Sequence, residues 1–311
     1  MSRVDEALRR ASEQPSPAAD ALPDEPFPIE MREHRRERKG ALPDHTAQPA
    51  DAPVSQLATT EQRPKSSSLL ERMSGSLAEK LVIDTSMASS SREQYRRLGA
   101  VLHHMQQLTG LTVVMVTSGV PGEGKTLTCT NLALTFSESY GRRVLLIDAD
   151  LRRPTIHSMF NIDNSSGLSD GLSAVQERKM LVRQVSEKLG VLPAGRPTSD
   201  PMASLISDRM RRLIEEARAE FDWVIIDTPP VALLPDAHIL AAMSDGALLV
   251  VKAESTPYAV VKRAADAIGQ ERTLGVVLNR ADEHAHSTGY YGYYNKNYYY
   301  GSSKAEPAAR P

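Results

Sequence analysis

The sequence has little cysteine and no long hydrophobic run, and both absences exclude classes of protein. A single cysteine, Cys129, among 311 residues rules out an intramolecular disulfide and a cysteine-rich zinc site, as is typical of a reducing compartment. No apolar run approaches the roughly 18 to 20 residues that span a bilayer, and the N-terminus lacks the apolar stretch of a signal peptide. We therefore expect a cytoplasmic protein that contacts a membrane only peripherally.

The chain also lacks a strong charge of either sign, and it has few aromatic residues. A formal net charge of -2 gives no general attraction to a polyanion, so we expect no nucleic-acid partner. Aromatic residues make up 5% of the chain, yet seven of the ten tyrosines lie between Tyr290 and Tyr300. A hydrophobic core cannot use tyrosines that are clustered in this way, so the cluster needs another explanation.

The first part of the chain, residues 1–76, is predicted to be a largely disordered arm. Nine of the twenty prolines fall within its first 75 residues, and large apolar residues are rare there. Only residues 2–12 place apolar side chains on one face of a short helix. The sequence leaves open whether this helix is a fraying terminus or a docking element for a partner.

Residues 77–283 have the pattern of one α/β domain. We predict strands at 111–117, 143–148, 191–193, 223–227, 247–252 and 274–279, and helices at 91–107, 125–140, 201–220, 236–243 and 258–270. Nearly continuous Val, Ile and Leu strands that alternate with helices indicate a doubly wound, mostly parallel sheet covered on both faces. Residues 284–311 lose this periodicity and form a low-complexity tail that contains the tyrosine cluster.

A glycine-rich stretch, Gly119 to Thr126, matches the phosphate-binding pattern G-x-x-x-x-G-K-[ST] between a predicted strand and a predicted helix. In such a loop the backbone N–H groups surround phosphate, the lysine reaches the β- and γ-phosphates, and the Ser or Thr hydroxyl binds Mg²⁺. The predicted nucleotide-binding residues are Gly119, Val120, Pro121, Gly122, Glu123, Gly124, Lys125, Thr126 and Leu127. The pattern therefore predicts a nucleotide site of the P-loop NTPase type.

Three carboxylates are predicted to lie beside this loop. Asp148 and Asp150 follow one buried strand, and Asp227 ends another. Ligands of open α/β sheets bind at the carboxyl ends of the strands, where these side chains would meet the Thr126 hydroxyl. Mg²⁺ prefers such oxygen ligands, so we predict that the three carboxylates and the Thr126 hydroxyl form a magnesium site.

These motifs together resemble the bacterial tyrosine autokinases of exopolysaccharide export, in particular the free-standing cytoplasmic type of exosortase-linked polysaccharide loci. The resemblance covers roughly residues 77 to 300. It rests on the phosphate loop and on the tyrosine-rich end. It also rests on two further stretches: Ile147 to Pro154 is similar to the second family motif, called Walker A′, and Val224 to Pro230 is similar to Walker B.

The resemblance implies a role for each matching residue, with ATP and Mg²⁺ as cofactors. Lys125 would neutralise the β- and γ-phosphates, Asp150 would activate the incoming tyrosine hydroxyl, and Asp148 and Asp227 would hold the metal. Either Arg152 or Arg153 would stabilise charge on the transferred group or form a structural ion pair, and the sequence does not decide between them. The implied phosphate acceptors are Tyr290, Tyr291, Tyr293, Tyr294, Tyr298, Tyr299 and Tyr300.

The resemblance also implies partners. They are other copies of the chain in a homo-oligomer, a membrane polysaccharide chain-length determinant that activates the kinase, and a tyrosine phosphatase. The family's subunit contact is a Glu-x-x-Arg-x-x-Arg helix, of which Glu93 and Arg96 match while Gly99 replaces the last arginine. Arg97 is the candidate substitute for that arginine, so oligomer size stays open.

Three interpretations of the tail compete: a substrate for phosphorylation, a low-complexity segment without a role, and a stacking surface for single-stranded nucleic acid. Only Lys296 and Lys304 lie nearby, too few charges for the last, and the adjoining kinase-like site favours the first. The main alternative function is an ATPase switch of the partition or septum-site type, but Val120 stands where those proteins carry a signature lysine. A catalytically weak adaptor is compatible with every motif.

Overall fold

The computed structural model of the protein describes residues 56–59, 69, 73, 79–174, 179–231 and 241–281. The tyrosine cluster, the predicted helix at 2–12 and most of the predicted helix at 236–243 lie outside the described residues. The proposed boundaries between arm, domain and tail stay predictions. The described part contains one eight-stranded sheet, and this sheet has the predicted doubly wound architecture.

The eight described strands form one mostly parallel sheet. They are β1 (Leu57–Thr59), β2 (Val113–Ser118), β3 (Val144–Asp148), β4 (Met180–Gln184), β5 (Leu189–Leu192), β6 (Trp223–Asp227), β7 (Gly246–Lys252) and β8 (Thr273–Asn279). Their spatial order is β1-β4-β5-β3-β6-β2-β7-β8. Among the described strands only the β4–β5 pair is antiparallel.

The helices connect these strands. They are α1 (Ser89–Thr109), α2 (Lys125–Leu134), α3 (Ile156–Met159), α4 (Leu168–Ser173), α5 (Pro201–Leu205), α6 (Asp208–Glu220) and α7 (Tyr258–Ile268), with a 3₁₀ turn at Gln270–Arg272. The predicted helix at 125–140 changes to a π-helical turn at Thr135–Ser139. The predicted helix at 201–220 is two helices, because the Ser207 side chain accepts a hydrogen bond from the Met210 N–H and starts a new one.

Four short elements were not predicted. They are β1, which lies in the segment expected to be disordered, and β4, α3 and α4. Each has six residues or fewer, so none carries enough periodicity to be recognised, and β1 and β4 form ladder hydrogen bonds only with strands that are distant in sequence or equally short.

Two hydrophobic layers hold the sheet between the helices. Alternate residues of β2 point into opposite layers, with Val113 and Met115 in one and Val114 and Val116 in the other. The second layer contains Trp223, the one tryptophan, fully buried and stacked on Phe136 with ring centroids 4.2 Å apart. Both faces of the sheet are therefore covered, as the continuous apolar strands predict.

The sheet register brings the functional segments to one edge. Strands β3, β6 and β2 are neighbours and parallel, and Asp148 pairs in register with Asp227. Val116 of β2 also lies opposite Asp227, so the loop that follows β2 starts beside both carboxylates. The carboxyl edge of the sheet therefore holds the candidate site.

Candidate active site

The phosphate loop connects β2 to α2, and two of its glycines have backbone angles that other residues rarely adopt. Gly122 has φ +84° and Gly124 has φ +97°, both in the left-handed region. At Gly124 a Cβ atom would also collide with the side-chain amide of Asn279. Since α2 begins at Lys125, the loop leads directly into a helix N-terminus, where free N–H groups and the helix dipole favour phosphate.

The residues of this loop do not contribute alike. The Val120 N–H donates to Oε2 of Glu123 at 2.8 Å, and Pro121 has no N–H. The N–H groups that the loop offers to a phosphate chain therefore begin at Gly122. Glu123 itself is 1% exposed, so its side chain faces the protein. Glu123 occupies one of the x positions of the motif, which any residue can fill, so the sequence pattern gave Glu123 no separate role.

Lys125 joins the loop to two of the predicted carboxylates. Its Nζ lies 2.8 Å from Oδ2 of Asp150 and 3.3 Å from Oδ1 of Asp227. Burial alone would lower the pKa of Lys125, but the carboxylates of Asp227 and Asp150 outweigh it, and the net pKa shift is upward. The ammonium group is thus held charged in a site where only about a tenth of its side chain is exposed.

Asp227 contacts the remaining member of the motif. The Thr126 hydroxyl donates to Oδ2 of Asp227 at 2.7 Å, and the carboxylate is fully buried. Burial raises the pKa of Asp227, and the ammonium of Lys125 and the hydroxyl of Thr126 offset this only in part. The positive charge near Asp227 therefore does not fully compensate for the burial of its carboxylate.

Asp148 has two different oxygens. Oδ2 accepts hydrogen bonds from the N–H groups of Thr155 and Ile156, at 3.1 and 3.0 Å, where α3 starts. Oδ1 is buried and has no hydrogen-bond partner among the described residues. Burial and then the nearby carboxylate of Asp227 raise the pKa of Asp148 to about 8. Asp148 thus fixes the start of α3 with one oxygen and leaves the other free.

These features fit a divalent cation. A buried carboxylate oxygen without a partner among the described residues, next to a second carboxylate and a hydroxyl, forms a set of hard oxygen ligands suited to a cation. Within the described residues no group of three or more His, Cys, Asp or Glu side chains is arranged for a metal. Mg²⁺ in nucleotide sites commonly uses one or two carboxylates together with phosphate oxygens and water, so Asp148, Asp227 and Thr126 form an appropriate set.

The segment after β3 turns tightly beside Lys125. The Arg153 N–H donates to Oδ1 of Asp150 at 3.2 Å, which leaves Oδ2 of Asp150 for Lys125. Arg152 and Arg153 are exposed, and in the described part of the chain neither guanidinium has an ion-pair partner. No structural ion pair is therefore seen for either arginine, and both lie at the rim of the site.

The predicted oligomer contact lies on a different surface, on α1. Glu93 pairs with Arg97 at 3.4 Å along the exposed helix face. Gly99 is buried, and a Cβ there would lie 3.3 Å from both Thr135 and the ring of Tyr140, whose hydroxyl donates to the Arg96 carbonyl at 3.1 Å. Gly99 therefore points into the domain, and its position cannot present an arginine to a neighbour without displacing Tyr140.

A doubly wound sheet whose phosphate loop faces buried carboxylates at the carboxyl edge defines a P-loop nucleotide-binding protein. The family model described as an AAA domain matches residues 112–268. The tyrosine-protein kinase YwqD of Bacillus subtilis is 37% identical over 229 residues, which cover 72% of this chain and 95% of YwqD. The solved kinase domain of the Escherichia coli tyrosine kinase ETK has 30% identity and a TM-score of 0.58, covering 68% of this chain and 84% of that domain.

The chain belongs to the family of bacterial tyrosine-protein kinases, and it is an enzyme of that class. The putative tyrosine-protein kinase EpsB of Ralstonia nicotianae is 33% identical over 70% of this chain, which spans only 30% of EpsB. None of the described helices has the length and apolar character needed to cross a membrane.

Proposed function

We propose that the protein is an ATP- and Mg²⁺-dependent tyrosine autokinase that phosphorylates the C-terminal cluster Tyr290 to Tyr300 of a neighbouring subunit. The observation that carries the proposal is the 2.8 Å contact between Lys125 and Asp150. It joins the ammonium group of the phosphate loop to a carboxylate whose one other side-chain contact among the described residues is a backbone N–H, that of Arg153. A phosphate clamp and a candidate base therefore share one site.

The transfer needs few groups because it depends on positioning and charge more than on covalent chemistry. The N–H groups from Gly122 onward and the Lys125 ammonium would bind the phosphate chain. Thr126, Asp148 and Asp227 would hold Mg²⁺, which when bound neutralises charge on the phosphates. Asp150 would accept the proton of the tyrosine hydroxyl, whose oxygen forms the new bond to the γ-phosphorus as the bond to ADP breaks.

The contact between Lys125 and Asp150 also suggests an order of events. While the Lys125 ammonium group occupies Oδ2 of Asp150, that oxygen is closed to a tyrosine hydroxyl. A nucleotide that draws Lys125 towards its phosphates would release Asp150 for the tyrosine. The base would thereby become available only once the phosphoryl donor is present.

The biological setting that we propose is exopolysaccharide polymerisation and export at the cytoplasmic face of the membrane. The names of relatives and the resemblance of the whole motif set support it. A membrane chain-length determinant would activate the enzyme, a tyrosine phosphatase would reverse the modification, and the active form would be a homo-oligomer. Phosphates on adjacent tyrosines would add like charges to neighbouring tails and loosen that oligomer.

Incubation of the full chain with ATP and Mg²⁺, followed by mass spectrometry, tests the proposal. We expect phosphotyrosine within Tyr290 to Tyr300, and none in Lys125→Met. Mixing Lys125→Met with a wild-type domain whose seven tail tyrosines are changed to Phe shows transfer between subunits if the Met variant becomes labelled. ATP hydrolysis without any tail phosphotyrosine, even with the partner's cytoplasmic segment added, would contradict the proposal and favour an ATPase switch.

A further inference from the structure

Glu123 is a buried acidic residue inside a loop whose ligand is an anion. Its side chain is 1% exposed, and its two oxygens accept three hydrogen bonds. Oε2 accepts from the Val120 N–H at 2.8 Å, while Oε1 accepts from the Lys252 N–H at 3.2 Å and from the Thr256 hydroxyl at 2.5 Å. Every donor is neutral, so the carboxylate forms no ion pair with these groups.

Two of these three bonds connect the phosphate loop to a different part of the chain. Lys252 is the last residue of β7, and Thr256 lies in the short segment between β7 and α7. The main-chain carbonyl of Glu123 accepts a further bond from the Asn279 amide at 2.7 Å, at the end of β8. One loop residue is therefore fixed by the ends of two strands and by the segment that follows one of them.

This arrangement directs the negative charge of Glu123 away from an incoming phosphate. Oε1 faces the end of β7 and the β7–α7 segment, and Oε2 is occupied by the Val120 N–H, so both oxygens are engaged by the protein. The bond to Val120 also closes a short turn within the loop, from residue 120 to residue 123. The turn and the anchoring bonds define the loop shape without any ligand.

We infer that Glu123 and Thr256 are positioning residues, which hold the phosphate loop in its nucleotide-binding shape before a nucleotide arrives. The inference rests on the proposed binding of nucleotide by this loop. A loop that is already ordered loses less conformational freedom on binding, so its affinity is higher. The Thr256 hydroxyl would contribute to affinity through Glu123, which is its one side-chain partner in the described part of the chain.

The test compares Thr256→Val, which keeps the shape and removes the hydroxyl, with Thr256→Ser, which retains it. The matched control is Thr273→Val, because the Thr273 hydroxyl also bonds to one oxygen, the Gly269 carbonyl at 2.9 Å, at the start of β8 and away from the loop. The dissociation constant of Mg-ADP is measured by calorimetry on the full chain. The Michaelis constant for ATP and kcat are measured from tail phosphorylation.

We expect Thr256→Val to raise the dissociation constant of Mg-ADP about tenfold, which corresponds to one hydrogen bond to a charged group. The Michaelis constant for ATP should rise similarly while kcat changes less than threefold, and Thr256→Ser should restore wild-type affinity. Thr273→Val should bind Mg-ADP like wild type even if its melting temperature falls. Glu123→Gln, whose amide would face the same donors, should weaken binding at least as much.

Unchanged affinity in both Thr256→Val and Glu123→Gln would overturn the inference, as would an equal loss in Thr273→Val. A different outcome would contradict the proposed function and leave this inference intact. If the wild-type chain binds Mg-ADP but phosphorylates no tyrosine, the role of the loop survives and the kinase proposal does not. If Thr256→Val does not fold, Glu123→Gln with the Thr256→Ser comparison supplies the same test.

Discussion

The Nζ of Lys125 and Oδ2 of Asp150 form an ion pair at 2.8 Å, although the two residues come from different strand ends of the sheet. Both side chains are about nine-tenths buried, so water screens their interaction little. The lysine of the phosphate loop is thus already placed and charged. Under the proposed function a nucleotide would compete with Asp150 for it, which would link nucleotide binding to the state of the candidate base.

Replacement of Asp150 by Asn separates the two roles. We expect tail phosphorylation to fall by about 10² to 10⁴-fold, because an amide cannot accept the tyrosine proton. Affinity for Mg-ADP should be retained or increased, since Lys125 loses a competing partner and keeps Asp227. Asp163→Asn, which removes an exposed pair with Arg183, serves as the control and should phosphorylate like wild type. Loss of Mg-ADP binding in Asp150→Asn would contradict this division of roles.

Replacement of Asp148 by Asn should change the requirement for Mg²⁺. The Asn carbonyl oxygen can still accept the N–H bonds of Thr155 and Ile156, so α3 should form. The uncharged group is a weaker metal ligand, and we expect the Mg²⁺ concentration for half-maximal activity to rise about tenfold or more. Titration of autophosphorylation with MgCl₂ at saturating ATP measures this. An unchanged Mg²⁺ requirement would remove Asp148 from the metal site.

Restoring the family's arginine at position 99 should damage the fold instead of completing a subunit contact. A side chain there meets Thr135 and Tyr140 at 3.3 Å, so Gly99→Arg should lower the free energy of unfolding by about 1 to 3 kcal/mol. The neighbouring Ala100→Arg, on the exposed side of α1, should change it by less than about 0.5 kcal/mol. Urea unfolding followed by Trp223 fluorescence measures both. A more stable or larger oligomer in Gly99→Arg would show that the arginine can reach a neighbour.

Asp245 predicts a dependence of stability on pH. Its carboxylate accepts bonds from the N–H groups of Thr112 and Val113, at 2.7 and 2.8 Å, and from Arg218 at 2.8 Å. Burial would raise the pKa of Asp245, but these bonds outweigh it and the net pKa shift is downward. Because the folded pKa is depressed, the contribution is complete above the unfolded pKa of about 3.9 and is lost as pH falls through the folded pKa.

We therefore expect Asp245→Asn to lower the free energy of unfolding at pH 7 by about 1 to 2 kcal/mol. The difference from wild type should shrink as the pH falls below about 4, where the wild-type carboxylate takes up its proton. Parallel urea titrations at several pH values measure this. A difference that stays constant down to acidic pH would show that the charge of Asp245 is not the cause.

The strands that build the site are predictable because their own residues specify them. Strands β2, β3, β6 and β7 consist mostly of Val, Ile and Leu, and continuous apolar runs of this length predict strands that are buried on both faces of the sheet. Each run ends in a turn or a carboxylate. Lys125, Thr126, Asp148, Asp150 and Asp227 follow from the same logic, since parallel strands bring their ends to one edge. Lys125 pairs with Asp150 and Asp227, Thr126 bonds to Asp227, and Asp148 lies beside Asp227 in the sheet register. This proximity agrees with the sequence interpretation, while the roles of these residues stay predictions.

Other features depend on contacts between distant parts of the chain, and the sequence does not reveal them. Two partners of the Glu123 side chain, Lys252 and Thr256, are more than a hundred residues away, and the loop motif leaves the position of Glu123 free. Gly99 looks like a lost arginine until the packing of Tyr140 on α1 is seen. The capping of α3 by Asp148 adds a structural role that a metal-site interpretation of the same residue does not include.

The direction of β8 has a consequence for how often a tyrosine meets an active site. This strand is parallel to β7 and ends at Asn279, whose amide contacts the phosphate loop. Tyr290 follows eleven residues later, so it lies within about 40 Å of that point whatever its conformation. Such a short tether corresponds to an effective concentration on the order of millimolar. Encounter of the proposed acceptor with the loop of its own subunit would then be set by the length of the chain and not by the abundance of the protein. Transfer between subunits, as proposed, requires an oligomer that brings a neighbouring loop within the same reach.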